Sequence, residues 1–246
     1  MIVEIIGPPG VGKSTLAAEL DGHFVEQREL ADSPDLPPVS FAEYQKLDQE
    51  FGETGLMKKF RVWRWLIFAP MCWRNPRFAI SLTKLVFLHG RPILRRGRKA
   101  QRVVAHALFS QRLEARVPDR LVIHHDGFTQ CLWSTVIDSP GLRGGELIRE
   151  ILADYYHARV RPRVIILEID DELAAQRVFE RTSKGRFNRD STPQQKAEFE
   201  RWLGYHREIV DLLPPGLDVI RIKASASVQD VARETAIALL DHTVRS

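Results

Sequence analysis

Met1-Ile2-Val3-Glu4-Ile5-Ile6-Gly7-Pro8-Pro9-Gly10-Val11-Gly12-Lys13-Ser14-Thr15 is the stretch whose reading decides the fold. Ile2 to Ile6 predicts a short buried strand, apolar apart from Glu4. Leu16 to Leu20 predicts a helix, with Ala17, Ala18 and Leu20 as packing residues. Between them, Gly7-x4-Gly12-Lys13-Ser14 is the full G-x4-G-K-[ST] spacing, with the strand before it and the helix after it that the pattern requires. The chemistry needs that spacing. Glycines let the backbone curl so that successive N–H groups point at phosphate oxygens. The following helix turns its positive end on the same oxygens. Lys13 is expected to reach the β- and γ-phosphates, and Ser14 to place its hydroxyl on Mg²⁺.

Working outward, three further apolar runs predict strands. They are Leu121-Val122-Ile123-His124-His125-Asp126, Val164-Ile165-Ile166-Leu167-Glu168-Ile169 and Leu217-Asp218-Val219-Ile220-Arg221-Ile222. Helical patterns lie between and after them, at about 144–158, 171–183, 193–212 and 227–241. Residues 41–116 read as mostly helical. Residues 31–39, with Pro34, Pro37 and Pro38, read as a loop. A thin signal for one more strand lies at Phe24-Val25. Apolar strands alternating with helices predict an α/β fold with a parallel sheet covered on both faces.

Composition narrows the class. The chain has 246 residues, 44% hydrophobic and 28% charged, which fits an ordinary soluble protein and excludes disorder throughout. Two cysteines, Cys72 and Cys131, make no disulfide framework. The N-terminus lacks the basic start of a signal peptide, so a cytoplasmic location is expected. The formal net charge of +4 hides an asymmetry. Residues 58–120 hold 16 of the 36 Lys and Arg but only Glu114 and Asp119 of the 32 acids. That block carries +14 and the remainder −10.

Two more features carry chemistry. Asp126 ends an apolar strand and is expected beside the glycine loop, where ligands bind in open α/β sheets. There it would hold Mg²⁺ through water or accept a proton from a substrate hydroxyl; the bland reading is a turn cap before Gly127. His124 and His125 have no Cys or third His nearby and read as strand residues rather than metal ligands. Residues 172–189 carry Arg177, Arg181, Lys184, Arg186 and Arg189. Positioned arginines stabilise a phosphoryl group in transfer, while the bland reading is a solvated basic helix end.

On these residues the chain resembles the nucleoside and nucleotide kinases of the P-loop NTPase class, thymidylate-kinase-like in particular. The matching pieces are Gly7 to Thr15 (Gly7, Pro8, Pro9, Gly10, Val11, Gly12, Lys13, Ser14, Thr15), Leu121 to Gly127, Val164 to Arg181, and the end from Val219. The resemblance covers roughly residues 1–30 and 120–245. It implies a three-layer fold with about five parallel strands, with ATP and Mg²⁺ bound under a lid at 181–195. It would make Arg177 a base or phosphate contact and Arg181 and Arg186 lid arginines, and it would put Ala224 to Ser227 near the adenine. Asp126-Gly127 departs from the family's acid-arginine pair. The family's acid after its second strand has candidates in Glu26 and Glu29.

Residues 31–118 show no signature of that family, and 40–118 read as a basic helical insertion within a single domain. Three of the five tryptophans fall there, at Trp63, Trp65 and Trp73. Its apolar runs are too short to span a bilayer. Three readings stand: an acceptor-binding wall, a face lying on an anionic membrane surface, or ordinary core packing with a solvated charged side. No nucleic-acid recognition motif accompanies the charge. The expected activity is ATP-dependent phosphotransfer to an anionic, nucleoside- or nucleotide-like acceptor. A kinase of a lipid- or polysaccharide-linked acceptor, a switch-type ATPase and a nucleotide-binding regulator without turnover are the alternatives. Against the switch, no Asn/Thr-Lys-x-Asp motif occurs, and no Asp-Glu pair follows the strand at 121–125.

Overall fold

A computed structural model describes residues 1–31, 37–51, 75–88, 93–117, 120–125, 127–137, 144–157, 163–180 and 187–244. Four strands form one all-parallel sheet. β1 (Ile2–Ile6) is an inner strand, flanked by β2 (Val122–His124) and β3 (Arg163–Glu168), and β3 pairs with β4 (Asp218–Lys223). The order across the sheet is therefore β2-β1-β3-β4. The register sets Glu4 between His124 and Val164. All of β1 and the first five residues of β3 are buried, the burial expected of a sheet covered on both faces.

The described residues hold nine helices: α1 (Lys13–Ala31), α2 (Phe41–Phe51), α3 (Pro76–Leu88), α4 (Ile93–Arg116), α5 (Phe128–Val136), α6 (Gly145–His157), α7 (Asp171–Phe179), α8 (Pro193–Val210) and α9 (Val228–Val244). Side chains alternate across the sheet. Val3, Ile5, Ile165 and Ile220 pack on one face against Leu16 and Leu20 of α1 and Ala236 of α9. Ile6, Val164 and Ile166 pack on the other against Leu132 of α5, Ile151 of α6 and Phe199 of α8. Three layers result. The start of α8 is fixed locally. Thr192 accepts from the Gln195 N–H, the Gln195 side chain accepts from the Thr192 N–H, and Pro193 occupies the first turn.

Two expectations need correction. No strand lies at Phe24-Val25, because α1 runs through both, and Phe24 is a buried core residue of that helix. Leu16, Leu20 and Phe24 recur every four residues, a helical period that outweighs the local β preference of Phe and Val. It follows that Glu26 and Glu29 lie on α1, not after a second strand. Among the described residues the sheet has four strands, where about five were expected. Beside β2, a fifth segment makes only one parallel bridge, Pro38 to Leu121, bounded by Val39 N–H to Leu121 O at 2.7 Å and Leu121 N–H to Pro37 O at 3.1 Å. Pro37 and Pro38 lack the N–H groups that would extend it into a ladder.

The insertion is helical where described, as α2, α3 and α4. Its inward side chains belong to the core: Phe78, Leu82 and Leu85 of α3 and Val103 of α4 pack below the sheet, while Phe109 and Leu113 of α4 join Tyr44 and Val122. Trp63, Trp65 and Trp73 lie outside the described residues. No helix among the described residues is long and apolar enough to cross a membrane.

Candidate functional site

The glycine-rich segment joins the end of β1 to the start of α1. Gly10 and Gly12 have φ of +89° and +95°, a region closed to most residues with a side chain. Gly10 is constrained by space as well: an added Cβ would come within 2.5 Å of Val178 Cγ2 and 3.0 Å of the Ala174 carbonyl. α7 therefore leans directly on the loop. Lys13 donates to the carbonyls of Gly7 at 2.7 Å and Pro8 at 3.3 Å, which holds its ammonium across the loop. Ser14 and Thr15 are exposed on the first turn of α1, and that turn carries no acid to oppose an anion.

α7 also reaches the loop after β4. Arg177 Nη1 donates to the Ala224 carbonyl at 2.9 Å, and the Ala224 N–H returns to Glu168 O at the end of β3 at 2.7 Å. One helix thus gathers Gly10, Arg177 and Ala224, which lie far apart in sequence. Arg181 and Arg186 lie outside the described residues, as does Asp126. The neighbours of Asp126 are described: β2 ends at His124, and Gly127 precedes α5.

Glu4 is the residue that sequence reasoning passed over. It lies on the same side of β1 as Ile2 and Ile6, yet it is only 3% exposed. Its carboxylate accepts from the Thr129 N–H at 2.6 Å and from the Tyr156 hydroxyl at 2.8 Å, and Tyr156 lies 2.7 Å from Thr129 Oγ1. Gly127 has no side chain to cap α5. Glu4 supplies that cap from across the sheet, satisfying a donor of the first turn. Gly127 leaves the room, since a Cβ there would sit 2.3 Å from the Glu4 carboxylate. Burial pushes the Glu4 carboxyl above its usual range, against the opposing pull of Tyr156 and Thr129. Burial, then the nearby Glu4 charge, pushes the Tyr156 phenol up. An acid alone in an apolar strand was the available signal.

A second buried group stands near the loop. His206 of α8 is 7% exposed, and its Nε2 has no hydrogen-bond partner among the described residues. Burial, then the charges of Lys13 and Arg207, holds its pKa down at about 3, so the imidazole is neutral at physiological pH. It borders a cavity of about 340 Å³ that also touches Pro8, Leu167 and Arg221. The cations there have carboxylate partners: Arg221 donates to Glu168 at 2.7 Å and Arg207 pairs with Asp171.

His124 and His125 are placed as strand-end residues. His124 Nδ1 lies 3.4 Å from Ser110 Oγ, and both rings pack against Tyr44. Among the described residues no three His, Cys, Asp or Glu side chains are grouped to hold a metal. No family model matches the chain, and no curated protein matches it in sequence.

Proposed function

We propose that this chain is an ATP-dependent phosphotransferase. The observation that carries the reading is the loop between β1 and α1. It has two glycines at positive φ, a lysine folded across it and a helix start free of acids. That is a cradle for an anion with several oxygens, and the G-x4-G-K-S spacing narrows the anion to a nucleotide polyphosphate. The Gly7 to Ser14 backbone and Lys13 would hold the phosphates, and Ser14, with Asp126, would hold Mg²⁺, which neutralises phosphate charge when bound. Arg177, which donates to the Ala224 carbonyl, would contact the base, as the resemblance implies. Asp126 would position or deprotonate the acceptor hydroxyl, and Arg181 and Arg186 would screen the transferring group. An anionic acceptor accords with the basic block at 58–120.

The test is acceptor dependence. With ATP and Mg²⁺, a panel of nucleosides, nucleoside monophosphates, sugars and lipid-linked sugars is screened by ADP release and product mass. One acceptor gaining a single phosphate supports a kinase. Steady ADP release unaffected by every acceptor supports a hydrolytic switch instead.

A further inference from the structure

His206 of α8 takes no part in the reaction proposed above, yet its Nε2 is buried without a hydrogen-bond partner among the described residues. Leu203, His206 and Val210 are spaced by three and four residues, so they share one face of the helix, and all three are buried. A leucine at the middle position would pack there with no polar group to satisfy. A buried nitrogen without a partner is costly to keep, and the imidazole has a use only if something bonds to it.

The surroundings leave room for that partner. A cavity of about 340 Å³ is bordered by Pro8, Ile166, Ile169, Leu203, His206 and Val210. Its volume falls at the small end of the range for ligand pockets, about 300–1,000 Å³. Its position also favours a ligand. In the order β2-β1-β3-β4, β2 lies on one side of β1, and β3 and β4 lie on the other. Pro8 stands two residues beyond the end of β1, and Ile166 is near the end of β3. The cavity therefore borders the carboxyl ends of both strands where the sheet order reverses, the place at which open α/β sheets bind ligands.

The walls select the class of ligand. Pro8 has no N–H to offer an anion. The two cations, Arg221 and Arg207, are bonded to Glu168 and Asp171, and Asp211 adds a third carboxylate. An anion there would meet more negative than positive charge, and a purely apolar molecule would leave the imidazole unsatisfied. Burial keeps that imidazole neutral, and a neutral imidazole carries one donor and one acceptor nitrogen. It suits an amide-like edge, which also donates and accepts.

We propose that the cavity between Pro8, the end of β3 and α8 binds a small uncharged ring bearing an amide-like edge, with His206 as its polar contact. This goes beyond the phosphate loop and holds whether or not the chain transfers phosphate.

The test uses the full chain without ATP and two probes of matched shape, uncharged benzamide and anionic benzoate. Histidine is labelled with ¹⁵N, and the His206 signals are assigned by their loss in His206→Phe. Benzamide at millimolar concentration should shift those signals and saturate, and benzoate should bind at least about tenfold more weakly. By ligand-detected NMR, His206→Phe should weaken benzamide at least about tenfold at an unchanged melting temperature. His206→Gln, which keeps a donor and an acceptor, should retain most of the binding. Val210→Phe, which fills the cavity from its wall, should remove it. Absence of a saturable shift would overturn the proposal. So would benzoate binding as tightly as benzamide, or benzamide binding that survives both His206→Phe and Val210→Phe.

Discussion

The Glu4 carboxylate accepts the Thr129 N–H at 2.6 Å, so β1 caps the first turn of α5 from 125 residues away. The bond ties β1, which runs into the glycine-rich loop, to the start of α5, which follows β2. Glu4 stands three residues before Gly7, and Thr129 stands three after Asp126. A charged acceptor on a backbone donor is among the stronger hydrogen bonds, worth about 1.5–3 kcal/mol net.

Gly127→Ala should destabilise the protein by about 1–3 kcal/mol, because the new methyl group would fall on the Glu4 carboxylate. The backbone itself has no objection, since φ at Gly127 is −70°. In a Glu4→Ala background the same change should cost clearly less, as coupled neighbours do. Urea denaturation of the four proteins reads the coupling; additive costs would remove Glu4 from the account of Gly127.

Glu4→Gln should change the pH dependence of stability. The carboxyl is raised above its ordinary 4.5 by burial, so between that value and its folded pKa the native state holds a proton that the unfolded chain has released. This contribution is fully present below pH 4.5 and is lost as pH rises through the folded value. The glutamine variant should lack that loss while keeping one acceptor for Thr129. Denaturation midpoints across pH 4 to 8 measure it, and a profile parallel to the parent's would contradict the assignment.

His206 acts in the opposite sense. Its folded pKa of about 3 lies below the unfolded 6.5, so its contribution is present above pH 6.5 and is lost as pH falls toward 3. From pH 7 to pH 5 the loss should be about 2 kcal/mol. His206→Gln should remove most of that slope. An imidazole that titrates near 6.5 by NMR would contradict its burial as a neutral group.

Much of this fold is legible in the residues. The strands Ile2–Ile6, Val122–His124 and Arg163–Glu168 fall within apolar runs because both faces of the sheet are covered there, while Asp218–Lys223 alternates buried Ile220 and Ile222 with exposed Arg221 and Lys223. The helix at 193–210 announces itself through Thr192, Pro193 and Gln195. Long-range polar chemistry is not legible. Nothing local to Glu4 says that its partners are Thr129 and Tyr156, and nothing in the α8 pattern says that His206 lies near Lys13. Such contacts arise only when parallel crossovers bring distant segments to one edge. The Pro37-Pro38 segment reads as a loop in sequence, and its described residues carry only an isolated bridge. It occupies the place of a strand beside β2 without donors to continue the ladder.

Asp126→Asn should reduce phosphoryl transfer at least about a hundredfold, the usual scale for removing a positioned base, with ATP affinity much less affected. Near-normal turnover would return Asp126 to a turn-capping role before Gly127. Single-turnover kinetics with saturating ATP separate the two outcomes.

The most direct measurement compares the parent protein with Lys13→Ala in an acceptor-dependent transfer assay, following product mass and ADP together. The parent should convert one acceptor to a species one phosphate heavier, and the variant should lose that activity while melting at the same temperature. Undiminished ATP affinity and turnover in Lys13→Ala would contradict the assignment of the Gly7 to Ser14 loop, and the phosphotransferase account with it.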